Sequence, residues 1–186
     1  MSGLIGTYGA KSSVTGVPQG CIVQTVSKLV NTKANVGHSS SGSTFTEVHT
    51  DFRITITPRF QSSRIEIMFS VPFNQNSATN IITLFRVFRL ITGGSKAYDI
   101  DSYGGSASTR HRLAGMSYRP VGYDAQDSDL WNQNFVDRPD TYKATVYGFE
   151  TKPQGTNTTR FNESYNANAD WGWSAQTLMT ATEIRE

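Results

Sequence analysis

Apolar and polar residues alternate with a period of two from Thr50 to Val71, in the segment TDFRITITPRFQSSRIEIMFSV. Phe52, Ile54 and Ile56 alternate with polar residues before the turn, and a second apolar series with the same period follows it. This period places successive side chains on opposite faces of a β-strand. The segment therefore predicts a β-hairpin of two strands, each with one buried face.

Other short segments have strand character and are separated by polar turns. The segment at 21–30 predicts a strand with both faces partly covered, and the one at 81–91 predicts a central strand. Gly148 indicates a bulge, and Pro120 indicates a strand that ends early or lies at an edge. The further candidates are 97–103, 110–123, 130–137, 141–152 and 171–186.

No stretch of the chain shows a sustained helical period with caps. Many short strands with polar turns are typical of a sandwich or barrel. We therefore predict an all-β protein, an antiparallel β-sandwich of jelly-roll-like type with an extended N-terminal arm.

The arm is predicted from composition. Residues 1–19 are rich in Gly, Ser and Thr, which cannot build a core. The chain of 186 residues is otherwise the right length for one domain, predicted at 20–186. We expect the arm to bind another surface through its apolar residues, which are Leu4, Ile5, Tyr8, Val14 and Val17.

Charge and composition argue against nucleic acid and membranes as partners of this chain. The net charge is +2, and 17 Lys and Arg are spread through the chain against 15 Asp and Glu, which argues against nucleic acid. The absence of a long apolar run argues against a membrane partner, and the N-terminal segment lacks the pattern of a signal peptide. The expectation is a soluble protein made in a cytoplasm.

No set of residues predicts catalysis, a cofactor or a metal. His38, His49 and His111 lie in three separate segments without metal-ligand spacing. Cys21, the single cysteine, excludes an intrachain disulfide and is predicted to be a small buried hydrophobe.

Two acidic segments, at 99–105 and 124–129, bring carboxylates together but lack the ligand pattern of a calcium loop. We interpret them as solvated turns. Aromatic rings can stack on sugars, and Trp131, Trp171 and Trp173 are the candidates for glycan contact, although packing is the simpler interpretation of such residues. The sequence favours a binding or assembly module over an enzyme.

Four segments together resemble a β-structured segment of virion structural proteins of tailed bacteriophages, notably cyanophages. They are GCIVQTV, TFTEVHTDFRITITPRFQSSRIEIMFSV, NFVDRPDTYKATVYGFET and TLMTATEIRE, and the segment 106–129 looks like an insertion among them. The strand, turn and strand of ITPRFQSSRI carry most of the likeness. The resemblance implies a non-enzymatic virion protein.

Within that class, the short arm ahead of a compact domain favours a capsid decoration, or cement, protein on the capsid exterior. Its partners would be the major capsid protein and other copies of itself, as a homotrimer by analogy with phage decoration proteins. The alternative is a tail fibre or tail tip protein that binds a host receptor or surface glycan. Hydrolytic activity has no supporting residues.

Overall fold

The computed structural model describes residues 17–37, 44–75, 81–98, 100, 115–119, 128–153, 158–163 and 174–186. These residues form twelve β-strands: β1 (Ile22–Val30), β2 (Ala34–Gly37), β3 (Thr46–Glu47), β4 (Arg53–Ile56), β5 (Arg64–Gln75), β6 (Ile81–Ile91), β7 (Lys96–Ala97), β8 (Gly115–Arg119), β9 (Asp129–Asp137), β10 (Thr145–Pro153), β11 (Thr158–Phe161) and β12 (Thr177–Ile184). None of the described residues forms a helix long and apolar enough to cross a membrane.

The strands form two antiparallel sheets of six strands each. In sheet A the order is β1, β12, β5, β11, β2, and β9 pairs with the other edge of β5. In sheet B the order is β3, β10, β6, β7, with β4 also paired to β10 and β8 to β6. The two sheets pack face to face, so the predicted all-β antiparallel sandwich is confirmed.

The most regular segment of the sequence crosses from one sheet to the other. β4 pairs with β10 in sheet B, whereas β5 pairs with β12 and β9 in sheet A. The predicted strands are therefore confirmed, but their pairing as a hairpin is wrong. The alternating pattern fixes which face is buried, and both strands bury that face against the same core from opposite sides.

The core between the sheets is built largely of aromatic rings. Phe149 lies at its centre, with ring centroids 5.1 Å from Trp131, 5.7 Å from Phe69 and 5.8 Å from Phe52. Burying each such side chain stabilises the fold by roughly 1.5–3 kcal/mol. Residues from both crossing strands complete this core: Phe52, Ile54, Ile56, Ile65, Ile67, Phe69 and Val71.

Several strand predictions hold and two do not. β6 is central, as predicted for 81–91, and β8 ends before Pro120. β10 runs past Gly148 in unbroken register with β6, so the predicted bulge there is wrong. β1 is an edge strand whose outward residues Thr25, Ser27 and Leu29 are exposed, which corrects the expectation that both of its faces are partly covered. The predicted arm lies outside the described residues, except for 17–19.

Candidate functional site

The reactive side chains that the structure describes are not gathered into a catalytic group. Cys21 is exposed, which corrects its prediction as a buried hydrophobe. His49 is also exposed, and its Nδ1 accepts a hydrogen bond from the backbone N–H of Asp51 at 3.1 Å. In the described part of the chain, no group of three His, Cys, Asp or Glu residues could hold a metal ion. His38 and His111 lie outside that part.

Glu183 is a buried carboxylate held by four neutral donors. Its Oε1 accepts hydrogen bonds from the backbone N–H groups of Arg59 and Phe60, at 2.8 and 3.0 Å, and from the hydroxyl of Ser63 at 2.7 Å. Its Oε2 accepts one from Nε2 of Gln24 at 2.6 Å. These bonds satisfy the buried charge and fix the β4–β5 connection to β12, so the role of Glu183 is structural.

Asp137 is a second buried carboxylate, and it joins the two sheets. From β9 of sheet A it accepts hydrogen bonds from the Arg89 guanidinium at 2.6 Å and the Tyr147 hydroxyl at 2.8 Å, both in sheet B. Burial, followed by the neighbouring carboxylate, raises the pKa of Tyr147 far above its usual range. The phenol therefore stays protonated and serves as a fixed donor across the sandwich.

The outer face of sheet B carries charges that neutralise one another. The carboxylate of Glu47 accepts hydrogen bonds from Arg53, at 2.5 and 2.8 Å, and from Lys96 at 2.7 Å. Lys96 also donates to Glu150 at 2.9 Å, and Arg86 forms an ion pair with the same carboxylate. The network links five strands, since these residues lie on β3, β4, β6, β7 and β10.

Aromatic rings enclose this network. The Arg86 guanidinium lies 4.3 Å from the ring centroid of Phe45 and 3.9 Å from that of Tyr98. Burial alone would raise the pKa of Glu47, but hydrogen bonds from Arg53 and Lys96 outweigh it and hold that pKa below its ordinary value. The charges are engaged with one another, so this face offers little for a charged ligand to bind.

The outer face of sheet A has a different character. Its outward side chains form rows across β1, β12, β5 and β9, and they are mostly short, uncharged and exposed or half-buried. We call this surface face A; it consists of Thr25, Ser27, Leu29, Leu178, Thr180, Thr182, Glu66, Met68, Ser70, Asn132, Asn134 and Val136. The carboxylate of Glu66 lies 3.3 Å from the guanidinium of Arg64, which is two residues earlier on the same face of β5.

Two features distinguish face A from the outer face of sheet B. The first is exposed apolar side chains: Leu29 is 61% exposed and Met68 is 37% exposed. Leu130, two residues before Asn132 on β9, is 57% exposed. A shallow groove of about 360 Å³ runs over β12, β5 and β9, beside Met68, Asn134 and Thr180. Exposed apolar side chains among neutral hydrogen-bonding groups are typical of a protein interaction surface.

Most of the predicted contact residues of the arm lie outside the described part of the chain. Leu4, Ile5, Tyr8 and Val14 lie outside the described residues. Val17 is half-buried, and its carbonyl accepts a hydrogen bond from the Arg185 guanidinium. The described end of the predicted arm, at Val17, therefore lies beside the end of β12.

Of the three tryptophans considered for glycan contact, Trp131 is only 7% exposed. Its ring stacks on Phe85 at 4.5 Å with an interplanar angle of 10°, so it belongs to the core and is not available to a sugar. Trp171 and Trp173 lie outside the described residues.

Face A was not identified from the sequence. Its signal is present in QTVSKL and TLMTATE, where the residues that alternate with the buried face are mainly Thr, Ser and Leu and not Lys or Glu. Such an alternation shows that a strand is half-buried, but it does not show which strands are neighbours. Only the pairing of β1 with β12, and of β12 with β5, assembles these residues into one surface.

Comparison with known proteins gives distant likenesses only. No protein-family model matches the chain, and no curated protein matches it either. Among solved structures, it is similar to that of the infectious bursal disease virus Gt strain, with a TM-score of 0.40, 8% identity and coverage of 89% of this chain and 37% of that one. The VP2 subviral particle of infectious bursal disease virus gives a TM-score of 0.39, 9% identity and coverage of 89% and 39%. The chain thus spans under two fifths of either protein's length.

Proposed function

We propose that this chain is a non-enzymatic virion structural protein of a tailed bacteriophage, and that it decorates the capsid exterior as a cement protein. Two supports of different kind carry the proposal. The sequence resembles phage virion proteins over most of its length, and face A is an exposed, nearly uncharged surface on a rigid sheet. Face A is the single structural observation on which the proposal depends.

The charged residues support a structural role as well. Glu183, Asp137 and the Glu47 network have each been placed in contacts that hold strands together. Buried polar groups that are satisfied in this way make a domain rigid. A rigid domain loses little conformational entropy when it docks, which suits a protein that reinforces an assembled shell.

The proposed partners are the major capsid protein and further copies of this chain, with a homotrimer as the proposed oligomer. The arm, with Leu4, Ile5, Tyr8, Val14 and Val17, would bind neighbouring capsid subunits. Several weak contacts of this kind reinforce one another by avidity when copies are joined.

The test is cosedimentation with purified phage capsids that lack this component. We expect the full chain to sediment with capsids, and both a chain starting at Gly20 and the Met68→Arg variant to bind at least about tenfold more weakly, a loss of about 1.4 kcal/mol. Met68 is on face A, where a guanidinium would lose its hydration when the face docks.

Thr55→Arg is the matched control, because Thr55 is exposed on β4 of the other sheet. It should bind like the unmodified chain. If the full chain ignores capsids but binds purified tails, the decoration role is wrong and the tail alternative replaces it. In that case glycan binding that is lost in Trp171→Ala identifies the receptor as a carbohydrate.

A further inference from the structure

The outer edge of β1 has no neighbour among the described residues. β1 is the terminal strand of sheet A and pairs on one side only, with β12. It is nine residues long and contains no proline. Proteins usually protect such edges with charges, proline or short strands, because bare backbone groups attract another strand.

The neighbouring edge of sheet B, formed by β4, is covered by side chains. Among the described strands β4 also pairs on one side only, and side chains of β1 cover its other side. The Lys28 ammonium donates to the carbonyls of Asp51 and Arg53 at 2.7 and 3.0 Å, and Gln24 Nε2 donates to the carbonyl of Thr57 at 2.7 Å. Among the described residues on this side of the sandwich, the edge of β4 is covered and the edge of β1 is unpaired.

These same bonds direct the charged group of β1 away from its free edge. Lys28 is its only charged residue, and the ammonium points to β4 and not to the free edge. The outward face of the strand presents Thr25, Ser27 and Leu29, and a register shift between Ile22 and Gln24 separates them from Ile22, which is 66% exposed. An approaching strand therefore meets no charge that would repel it.

The backbone of alternate residues is available for pairing. The hydroxyls of Thr25 and Thr182 lie 3.2 Å apart, and those of Ser27 and Thr180 lie 3.4 Å apart. Side chains approach this closely in the non-hydrogen-bonded pairs of an antiparallel ladder. The N–H and C=O groups of Thr25 and Ser27 consequently point away from β12, towards the free edge.

We propose that β1 pairs antiparallel with β1 of a second copy, in a two-fold register centred on Val26. In this register Thr25 lies opposite Ser27 of the other copy, so the outward backbone groups of both strands meet. The two copies of sheet A then form one continuous sheet with face A extended across the junction. This inference rests on the proposed function, which includes self-association of the chain. It adds that the contact between copies is formed by β1.

The strand is self-complementary in this register. Leu29, 61% exposed in the single chain, lies opposite Val23 of the other copy. Lys28 lies opposite Gln24, so the two Lys28 residues do not face each other. Because identical strands are related by a two-fold axis, the contact joins copies in pairs: it gives a dimer, or a hexamer if trimers form through another surface.

The test is a charge exchange on β1, measured by light scattering during size-exclusion chromatography without capsids. One double variant carries Thr25→Lys and Ser27→Lys, and the other carries Thr25→Glu and Ser27→Glu. Both positions are exposed, so the fold should tolerate them. When two copies of the same variant pair in the proposed register, like charges at positions 25 and 27 lie directly opposite each other. We therefore expect self-association of each variant to be at least about tenfold weaker than that of the unmodified chain.

An equal mixture of the two variants should restore the paired species, since Lys then faces Glu. The control carries Thr55→Lys and Thr57→Lys on the exposed side of the other sheet and should associate like the unmodified chain. Should a double variant fail to fold, Leu29→Lys takes its place. An unmodified chain that is monomeric, an oligomer insensitive to the β1 variants, or a mixture that does not recover pairing would each overturn the proposal. Capsid binding can still succeed in all three cases, so the two proposals fail separately.

Discussion

At the scale of single residues, Gly148 shows how closely the outer layer of sheet B is packed. A Cβ at this position would lie 2.6 Å from Cζ of the Phe88 ring and 3.2 Å from the carbonyl oxygen of Phe52. Phe88 is fully buried and cannot move aside freely. We expect Gly148→Ala to lower the free energy of unfolding by about 1–3 kcal/mol because of overpacking.

Urea denaturation measures this difference, and Gly37→Ala is the control. Gly37 also lies in a strand, but a Cβ there meets nothing within 4 Å, so its variant should stay within about 0.5 kcal/mol of the unmodified protein. Equal stabilities for the two alanine variants would contradict the packing described around Phe88.

The network on sheet B predicts a dependence of stability on pH. The folded-state pKa of Glu47 lies below its ordinary value of 4.5, so near and below that pH the unfolded chain binds more protons. The stabilisation is therefore complete above the ordinary value and is lost as the pH falls through the folded-state pKa.

Glu47→Gln should weaken this acid dependence, as measured by urea denaturation at several values between about pH 3 and pH 7. The same substitution at Glu163, outside the network, serves as the comparison. An unchanged pH dependence in Glu47→Gln would show that Arg53 and Lys96 do not hold this carboxylate.

At the scale of elements, Glu183 ties the β4–β5 connection to the last strand. Glu183→Gln keeps the volume but replaces an acceptor with a donor, which leaves some of the N–H and O–H groups that face it unsatisfied. We expect a loss of about 2–4 kcal/mol in the free energy of unfolding. Glu66→Gln, the same change on exposed face A, should cost little, and thermal or urea unfolding distinguishes the two.

The strands themselves could be predicted from sequence, but much of their pairing could not. Period-two alternation located β4 and β5 because burial on one face constrains every second residue. It carried no information on whether the turn from 57 to 63 joins partners in one sheet or spans two. That choice depends on Glu183, which lies more than a hundred residues further along the chain and binds this turn.

The local sequence also failed to predict whether two candidate residues are buried or exposed. Trp131 is an aromatic residue of the kind that can stack on a sugar. However, β9 pairs with β5 at the centre of sheet A, and the Trp131 ring lies in the core. Cys21, expected to be buried, lies exposed just ahead of β1, where that strand has no outer neighbour in the described chain. Exposure follows from strand order, which local pattern does not encode.

At the scale of the whole molecule, two sheets enclose one aromatic core and present unlike outer faces. Sheet B is covered by paired charges, whereas face A is open and nearly neutral. An asymmetric sandwich of this kind has one side suited to solvent and one suited to a partner. The proposal on capsid binding depends on that asymmetry, whereas the proposal on β1 pairing depends on the edge of sheet A.

The pairing of β1 with β12 also imposes an order on synthesis. Gln24 and Glu183 are bonded in the folded protein but lie 159 positions apart. A ribosome adding roughly 5–20 residues per second takes on the order of 10 s to travel between them. Throughout that interval neither edge of β1 is paired with β12, which is made after every other described strand. Holding the nascent chain by a chaperone should therefore raise the yield of folded protein while leaving the stability of the finished fold unchanged.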